Sequence, residues 1–176
     1  MKALALVAHP DDCLIFGHHF ITSNPKFKWK IIYLTHTVDH PRFAEMLYYW
    51  NSKGIPASTL GFIDDWYAVN KGKLGFKKSD AVAAIKKATE GYDLLLTHNF
   101  KGEYGHPHHL LINKAVEKIK IPKVYFGDYP DYCNLLYKYD EDPFDINEFW
   151  LHQPVLKDCD IRTYKYFVTD EAKALL

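Results

Sequence analysis

Short apolar runs alternate with stretches of helical pattern from the N-terminus to residue 126, and this alternation limits the possible folds more than any other feature. The first run, residues 3–8, is continuously apolar, which is typical of a strand buried on both faces. Later strands are predicted at 30–35, 56–61, 92–97 and 123–126, and the helices between them at 13–22, 41–53, 79–90 and 107–119. This order predicts an α/β fold, with a mostly parallel sheet covered by helices on both faces.

The chain of 176 residues has the length of a single domain, and no linker or internal repeat divides it. We expect the α/β core to occupy about residues 1–127. The pattern of strands and helices weakens after Gly127, and residues 128–176 are rich in aromatic side chains. We therefore expect residues 128–176 to form a variable region on the substrate side, and residues 169–176 have the pattern of a helix start.

Charge and composition exclude several classes of protein. Lys plus Arg and Asp plus Glu number 22 each, so no basic field would attract nucleic acid. No apolar run approaches the roughly 20 residues that a membrane-spanning helix needs. The three cysteines, Cys13, Cys133 and Cys159, are odd in number and widely spaced. We therefore expect buried thiols rather than a disulfide framework, and a cytoplasmic location.

Two polar clusters follow predicted strands. His9, Asp11 and Asp12 come directly after the first strand, and residues 102–109 (Gly-Glu-Tyr-Gly-His-Pro-His-His) follow the fourth. Ligands of open α/β sheets bind at the carboxyl ends of the strands, where the strand order reverses. If the order is the common 3-2-1-4-5, the first and fourth strands are neighbours, and the two clusters face each other.

The spacing within the clusters suits a metal ion. His9 and Asp12 are three residues apart across a turn, and His106 and His109 are three apart on one face of a helix start. Two imidazoles and one carboxylate, with water in an open position, make a catalytic zinc site. Asp11 then remains as a spare carboxylate beside a metal-bound water, where it would be a natural general base.

Structural interpretations compete with these assignments. Asp11 and Asp12 are also suitable caps for the following helix. The histidine-rich residues 106–109 would also suit a solvated helix start. A weaker cluster of metal-binding residue types follows the second strand and has no partner cluster: His36, Asp39 and His40. The remaining histidines are interpreted as structural, and among them are His18, His19, His98 and His152.

Both clusters resemble the motifs of one known family. Residues 8–13 (Ala-His-Pro-Asp-Asp-Cys) resemble the Ala-His-Pro-Asp-Asp-Glu motif of the PIG-L/LmbE-like deacetylases, and residues 102–109 are similar to the family's Gly-His-Pro-Asp-His motif with its flanks. Thr35, Arg42 and Glu45 are similar to its Thr-Asp-Gly…Arg-x-x-Glu region. The resemblance covers roughly residues 3–126, and the two motifs in this order make it specific.

The resemblance implies a Rossmann-like, three-layer α/β/α fold and the hydrolysis of N-acyl groups, often from substrates that contain N-acetylglucosamine. It also implies one zinc ion per chain, with another divalent metal such as Fe²⁺ as the alternative. By position, His9, Asp12 and His109 would be the metal ligands. Asp11 would be the general base, and His106 would stabilise the oxyanion or protonate the leaving amine.

Further roles follow from the same resemblance. Tyr104 lies where some members place a tyrosine near the substrate carbonyl. The residues implied for substrate binding are Arg42, Asp64, Asp65 and His108. The chain departs from the family at two positions, because Cys13 replaces a glutamate and His108 replaces an aspartate. Both changes remove negative charge from the site, and the chain is expected to be shorter at its C-terminal end than typical members.

The sequence therefore predicts a zinc-dependent deacetylase of a small N-acylated substrate, such as an N-acetylated amino sugar, without a nucleic-acid or membrane partner. The oligomeric state stays open. The departures at Cys13 and His108 leave one alternative, a metal-binding pseudoenzyme of the same fold with weak or no activity. An iron oxygenase would place His-x-Asp on an all-β fold, whereas this chain has His-x-x-Asp on an α/β pattern. A nucleotide-binding module would need a Gly-x-Gly-x-x-Gly turn, which the first strand lacks.

Overall fold

The computed structural model describes residues 1–127 and 134–176, and its centre is one seven-stranded sheet in the order β3-β2-β1-β4-β5-β7-β6. The strands are β1 (Lys2–Val7), β2 (Lys28–Thr35), β3 (Ala57–Phe62), β4 (Leu94–Thr97), β5 (Lys123–Phe126), β6 (Leu135–Lys138) and β7 (Thr163–Val168). The α-helices are α1 (His18–Ser23), α2 (Pro41–Ser52), α3 (Trp66–Val69), α4 (Lys78–Ala88), α5 (Gly102–Gly105), α6 (Pro107–Val116), α7 (Gln153–Asp158) and α8 (Asp170–Lys173).

The first five strands are parallel and stand in the expected order, with β1 between β2 and β4. This confirms the predicted fold class, a mostly parallel sheet in a three-layer α/β/α arrangement. The region beyond residue 127 extends the same sheet, because β7 pairs antiparallel with β5 and β6 pairs antiparallel with β7. Cys133 lies outside the described residues.

The apolar run of β1 is explained by its central position. Ala3, Ala5 and Val7 belong to the hydrophobic cluster on one face of the sheet, and Leu4 and Leu6 belong to the cluster on the other. Alternate side chains of a strand point to opposite faces, so a strand covered on both sides must be apolar at every position. Both clusters are fully buried at β1, and this strand therefore holds the first polar motif in a fixed place.

Three local features differ from the sequence predictions. The helix expected at 13–22 is divided into a π-helical turn, Cys13–Gly17, and α1. The polar loop expected at 98–105 contains the short helix α5, and α6 ends at Val116 rather than at residue 119. π-Helical turns are frequent at functional sites, and this one directly follows Asp12. In the parts of the chain that the structure describes, no helix has both the length and the apolar character needed to cross a membrane.

Candidate metal centre

The ends of β1 and β4 bring the two polar clusters together, as the strand order predicts. Three potential ligand atoms form a triangle: His9 Nδ1 lies 3.2 Å from His109 Nε2 and 3.4 Å from Asp12 Oδ2, and His109 Nε2 lies 3.5 Å from Asp12 Oδ1. Zinc with ligands at 2.0–2.1 Å in tetrahedral geometry keeps them about 3.3–3.4 Å apart. The three side chains are buried and spaced as zinc ligands would be.

Glu103 determines which nitrogen of His109 faces this triangle. Its carboxylate accepts hydrogen bonds from His109 Nδ1 at 2.6 Å, from His98 Nδ1 at 2.7 Å and from the backbone N–H of Asn99 at 2.9 Å. Because Nδ1–H of His109 donates to this carboxylate, the proton of the neutral ring is on Nδ1 and the Nε2 lone pair is free. Burial raises the pKa of Glu103, but the two histidines outweigh it and lower the pKa to about 2.

His108 determines which nitrogen of His9 faces the triangle, but unlike Glu103 it carries no charge. Its Nε2 donates to the carbonyl of Leu74 at 2.9 Å, and burial lowers its pKa, so the ring is neutral and Nδ1 must accept. His9 Nε2 lies 3.1 Å from that Nδ1 and therefore donates to it. The free lone pair of His9 is then on Nδ1, which points at His109 and Asp12.

The triangle thus consists of three groups that all offer lone pairs. Burial lowers the pKa of His9, but Asp12 and the neighbouring carboxylates Asp64 and Asp11 raise it overall. The same cluster lowers the pKa of Asp12, mainly through His109, His9 and His98, against the effect of burial. A positive charge is therefore favoured at the centre of the triangle, and either a proton or a metal ion would supply it.

His98 is a site residue that sequence reasoning assigned to a structural role. Its ring stacks on His109 with centroids 3.8 Å apart, and its Nε2 lies 3.3 Å from Asp12 Oδ2. Burial lowers the pKa of His98 while Glu103 and Asp12 raise it, to about 9. The backbone N–H of Ala8 opposes that charge, because it donates to Nε2 at 3.0 Å and needs an unprotonated nitrogen there.

Glu103 was missed as a site residue, although it lies inside the second motif. Its backbone has φ 54 and ψ −71, a region that residues other than glycine rarely adopt. Gly102 before it has φ +61, and a Cβ there would stand 2.9 Å from Leu110 Cγ. Strain of this kind persists where the surroundings enforce it, often at functional sites. The glycines on both sides of Glu103 were the available sequence signal for an unusual turn.

His106 and Tyr104 stand at the edge of the cluster. The ring of His106 meets that of His9 edge-on with centroids 4.5 Å apart, and burial with the surrounding histidines lowers its pKa to about 3. Tyr104 is 70% exposed, and its ring centroid lies 5.8 Å from that of His106. His106 also belongs to one of three groups that could hold a metal: His9, His106 and His109; His9, Asp64 and His108; and Asp12, His98 and His109.

Asp11 is held by Arg42 beside the triangle. Arg42 Nη2 donates to Asp11 Oδ1 at 2.8 Å, so the guanidinium expected to bind substrate contacts the expected general base. One turn further along α2, Glu45 forms a close pair with the buried His152. Asp11 and Asp12 also line a cavity of about 460 Å³ together with Phe16, Glu103, Tyr104, Phe126, Val155, Cys159 and Lys165.

Other residues singled out in the sequence make contacts within the protein or lie outside the groups that could hold a metal. Asp65 caps α3, because its carboxylate accepts the N–H of Ala68 at 3.1 Å. His108 is completely buried and stacks on Phe76, so it presents no surface to a substrate, contrary to the role that the resemblance implied. Among the described residues, none of the groups that could hold a metal includes the weaker cluster of His36, Asp39 and His40.

Comparisons with known proteins agree with this architecture. No family model matches the sequence. An uncharacterized protein of Acanthamoeba polyphaga mimivirus is 29% identical over 141 residues, which cover 69% of this chain and 59% of the viral protein, so the chain spans about three fifths of that relative's length.

Two solved structures show the fold. The N,N'-diacetylchitobiose deacetylase from Pyrococcus horikoshii aligns over 97% of this chain and 84% of its own, with TM-score 0.57 and 14% identity. The zinc-inhibited form of a teicoplanin deacetylase aligns over 88% of this chain and 83% of its own, with TM-score 0.56 and 12% identity. The chain has the fold of the PIG-L/LmbE-like deacetylases.

The PIG-L/LmbE-like fold puts both departures from the family motifs close to the triangle. Cys13 is fully buried in the core after Asp12, and burial raises the pKa of its thiol, so it adds no charge to the site. A buried carboxylate beside the triangle comes from Glu103, through its hydrogen bond to His109. His108, at the other departure, contacts His9 through a side-chain hydrogen bond, whereas its hydrogen bond to His106 comes from the backbone N–H and the two rings meet edge-on with centroids 5.1 Å apart.

Proposed function

We propose that this chain is a metal-dependent amide hydrolase, zinc being the expected metal, which removes an N-acyl group, in the first place acetyl, from a small substrate such as an amino sugar. The observation that carries the proposal is the convergence of His9 Nδ1, His109 Nε2 and the Asp12 carboxylate at 3.2–3.5 Å, each with its lone pairs directed inward. Such an arrangement is unfavourable without a cation.

The proposed ligands are His9, Asp12 and His109. A divalent ion bound there would supply Lewis acidity and lower the pKa of a water molecule at the site. Glu103 and His108 orient the two imidazoles through their second nitrogens, which is the usual arrangement around ligating histidines. The buried position of all five side chains excludes bulk water from the ligand triangle.

Asp11 is the proposed general base. Its carboxylate borders both the triangle and the cavity, where a substrate amide would lie. The ion pair with Arg42 fixes the orientation of the carboxylate, so that Asp11 can accept the proton of the attacking water. His106, whose ring contacts that of His9, is the proposed hydrogen-bond donor to the developing oxyanion, and Tyr104 lines the cavity beside Asp11.

The test is turnover of N-acetylated and longer N-acyl amino sugars by zinc-loaded protein, followed as released carboxylate and free amine. Asp11→Asn keeps the side-chain shape and removes a proton acceptor. We expect it to retain the metal and to lose activity by about 10² or more. Loss of zinc from Asp11→Asn would make Asp11 a ligand, and no turnover of any substrate by fully loaded protein would favour the pseudoenzyme.

A further inference from the structure

A second group of potential ligands lies on the opposite side of His9 from the first. Three atoms make up this group. His9 Nε2 lies 3.1 Å from His108 Nδ1 and 3.9 Å from Asp64 Oδ1, and His108 Nδ1 lies 3.7 Å from Asp64 Oδ1. These distances bracket the roughly 3.3–3.4 Å between the ligands of a tetrahedral zinc ion. We propose that these three atoms form a second, weaker zinc subsite, which competes with the first for His9 and inhibits the enzyme when zinc is in excess.

Two of the three donor atoms of this subsite, His108 Nδ1 and Asp64 Oδ1, already offer a lone pair to a cation. Because His108 Nε2 donates to the Leu74 carbonyl, the lone pair of His108 is on Nδ1, which faces Asp64 and His9. A ligating histidine commonly has its other nitrogen held by a backbone carbonyl in this way. The negative charge comes from Asp64, whose side chain is 24% exposed and connects the subsite with solvent. An aspartate at position 108 would provide no imidazole donor here.

Sharing of His9 gives the competition its mechanism. A neutral imidazole has one N–H and one free lone pair. For the first site the lone pair must be on Nδ1, with Nε2–H donated to His108. For the second subsite it must be on Nε2, and the proton then lies on Nδ1, which faces Asp12 Oδ2 at 3.4 Å. The change moves one proton within the ring and removes His9 from the first site.

Zinc titration of the protein by calorimetry tests the subsite without any substrate. Protein that already holds one zinc should bind a second equivalent more weakly than the first. Asp64→Asn removes the charged ligand of the second subsite alone, and we expect it to weaken the second equivalent by at least about 10-fold, while the affinity for the first stays unchanged. His108→Phe should abolish the second equivalent, because it removes the imidazole and keeps an aromatic ring against Phe76.

Asp65→Asn is the matched control. It neutralises the adjacent carboxylate, and asparagine also caps helices well, so α3 should be retained. We expect its second zinc equivalent to equal that of the unaltered protein. The subsite is overturned if Asp64→Asn binds the second equivalent within about twofold of the unaltered protein, or if Asp65→Asn weakens it equally.

The inhibitory consequence rests on the proposed function and is measured separately. Each protein's hydrolysis rate at excess zinc is divided by its own rate at one equivalent. The zinc concentration for half inhibition should rise at least about 10-fold in Asp64→Asn and stay unchanged in Asp65→Asn. Unchanged inhibition in Asp64→Asn would refute the competition. If no substrate is hydrolysed, the proposed function fails, and calorimetry still decides whether the subsite exists.

Discussion

The two histidines at the centre of the site are oriented in different ways. His109 donates a hydrogen bond from Nδ1 to Glu103, a buried carboxylate whose pKa is lowered to about 2. His9 donates a hydrogen bond from Nε2 to His108, a neutral imidazole that in turn contacts a backbone carbonyl. Both arrangements fix the ring and the tautomer. Only the partner of His109 is itself charged and hydrogen-bonded to the ring, which increases the basicity of the ligand, whereas the carboxylate nearest to His9 Nε2, that of Asp64, lies 3.9 Å away. The His109 side should therefore contribute more to metal affinity than the His9 side.

The largest expected effect comes from the ligand on the charged side. His109→Ala removes one of three proposed ligands and leaves Glu103 without one of its donors. We expect zinc affinity to fall by more than about 100-fold, which exceeds the usual effect of an outer partner. Competition with a chelating dye measures it. His40→Asn is the control, since it removes an imidazole outside the site and keeps a residue suited to capping α2. Full zinc affinity in His109→Ala would contradict the ligand assignment.

Glu103→Gln tests the charge itself. The amide keeps the size of the side chain but has no charge, and if its oxygen faces the two imidazoles its NH₂ group faces the backbone N–H of Asn99, so His109 loses its charged partner. We expect zinc affinity to fall by about 10–100-fold. The same chemical change at an exposed position, Glu117→Gln, should leave zinc affinity unaltered. Equal affinities for the two variants would mean that Glu103 orients His109 without affecting its basicity.

His108 should matter less for the first zinc, because it contributes orientation without charge. His108→Phe keeps the buried ring but leaves the Nε2–H of His9 without an acceptor, and we expect a loss of about 10-fold in affinity for the first equivalent. His108→Asn offers an amide oxygen to the same N–H and should retain most of the affinity. The comparison between the two sides would be wrong if His108→Phe reduced affinity as much as Glu103→Gln does.

The sequence predicted the three proposed metal ligands better than the residues that orient them, Glu103 and His108. Strand order and motif positions were sufficient to bring His9, Asp12 and His109 together, because parallel strands end at one edge of the sheet. The role of Glu103 depends on a positive φ and on contacts with His98 and His109; the neighbouring glycines indicate an unusual turn, but they do not indicate those contacts. The partner of His108 is a backbone carbonyl at Leu74, in a segment with no periodic pattern. Contacts of this kind are set by tertiary packing, and pattern analysis does not reach them.

The region beyond residue 127 shows the same limit. β6 and β7 are antiparallel and lie at one edge of the sheet, and their pairing joins residues that are 25 or more positions apart in the sequence. The short strand β6 alternates between half-buried and exposed residues, so its apolar pattern is weak. The lining of the cavity nevertheless comes partly from this region, through Val155, Cys159 and Lys165. Part of the cavity lining is therefore encoded where the sequence pattern is least informative.

His18 extends the comparison to a histidine that has no carboxylate partner among residues 1–127 and 134–176, and it carries the smallest expected effect. Its Nε2 contacts the hydroxyl of Tyr49 at 2.7 Å, and burial, together with the positive charges of Lys53 and His19, lowers its pKa to about 3. The unfolded chain has the ordinary histidine pKa of about 6.5, so between pH 6.5 and pH 3 it binds the proton that the folded protein excludes. This group therefore stabilises the fold above pH 6.5, and its contribution is lost as the pH falls.

Between pH 6.5 and pH 5.5 the His18 contribution amounts to about 1 kcal/mol of unfolding free energy. His18→Gln retains a polar group for Tyr49 and does not titrate. We therefore expect its unfolding free energy to decline about 1 kcal/mol less than that of the unaltered protein over this interval, as measured by urea unfolding at both pH values. Parallel declines would show that His18 is not held neutral in the folded state. Burial without a carboxylate would then not be sufficient to keep a histidine of this protein uncharged, and the neutrality inferred for His108 would need the same test.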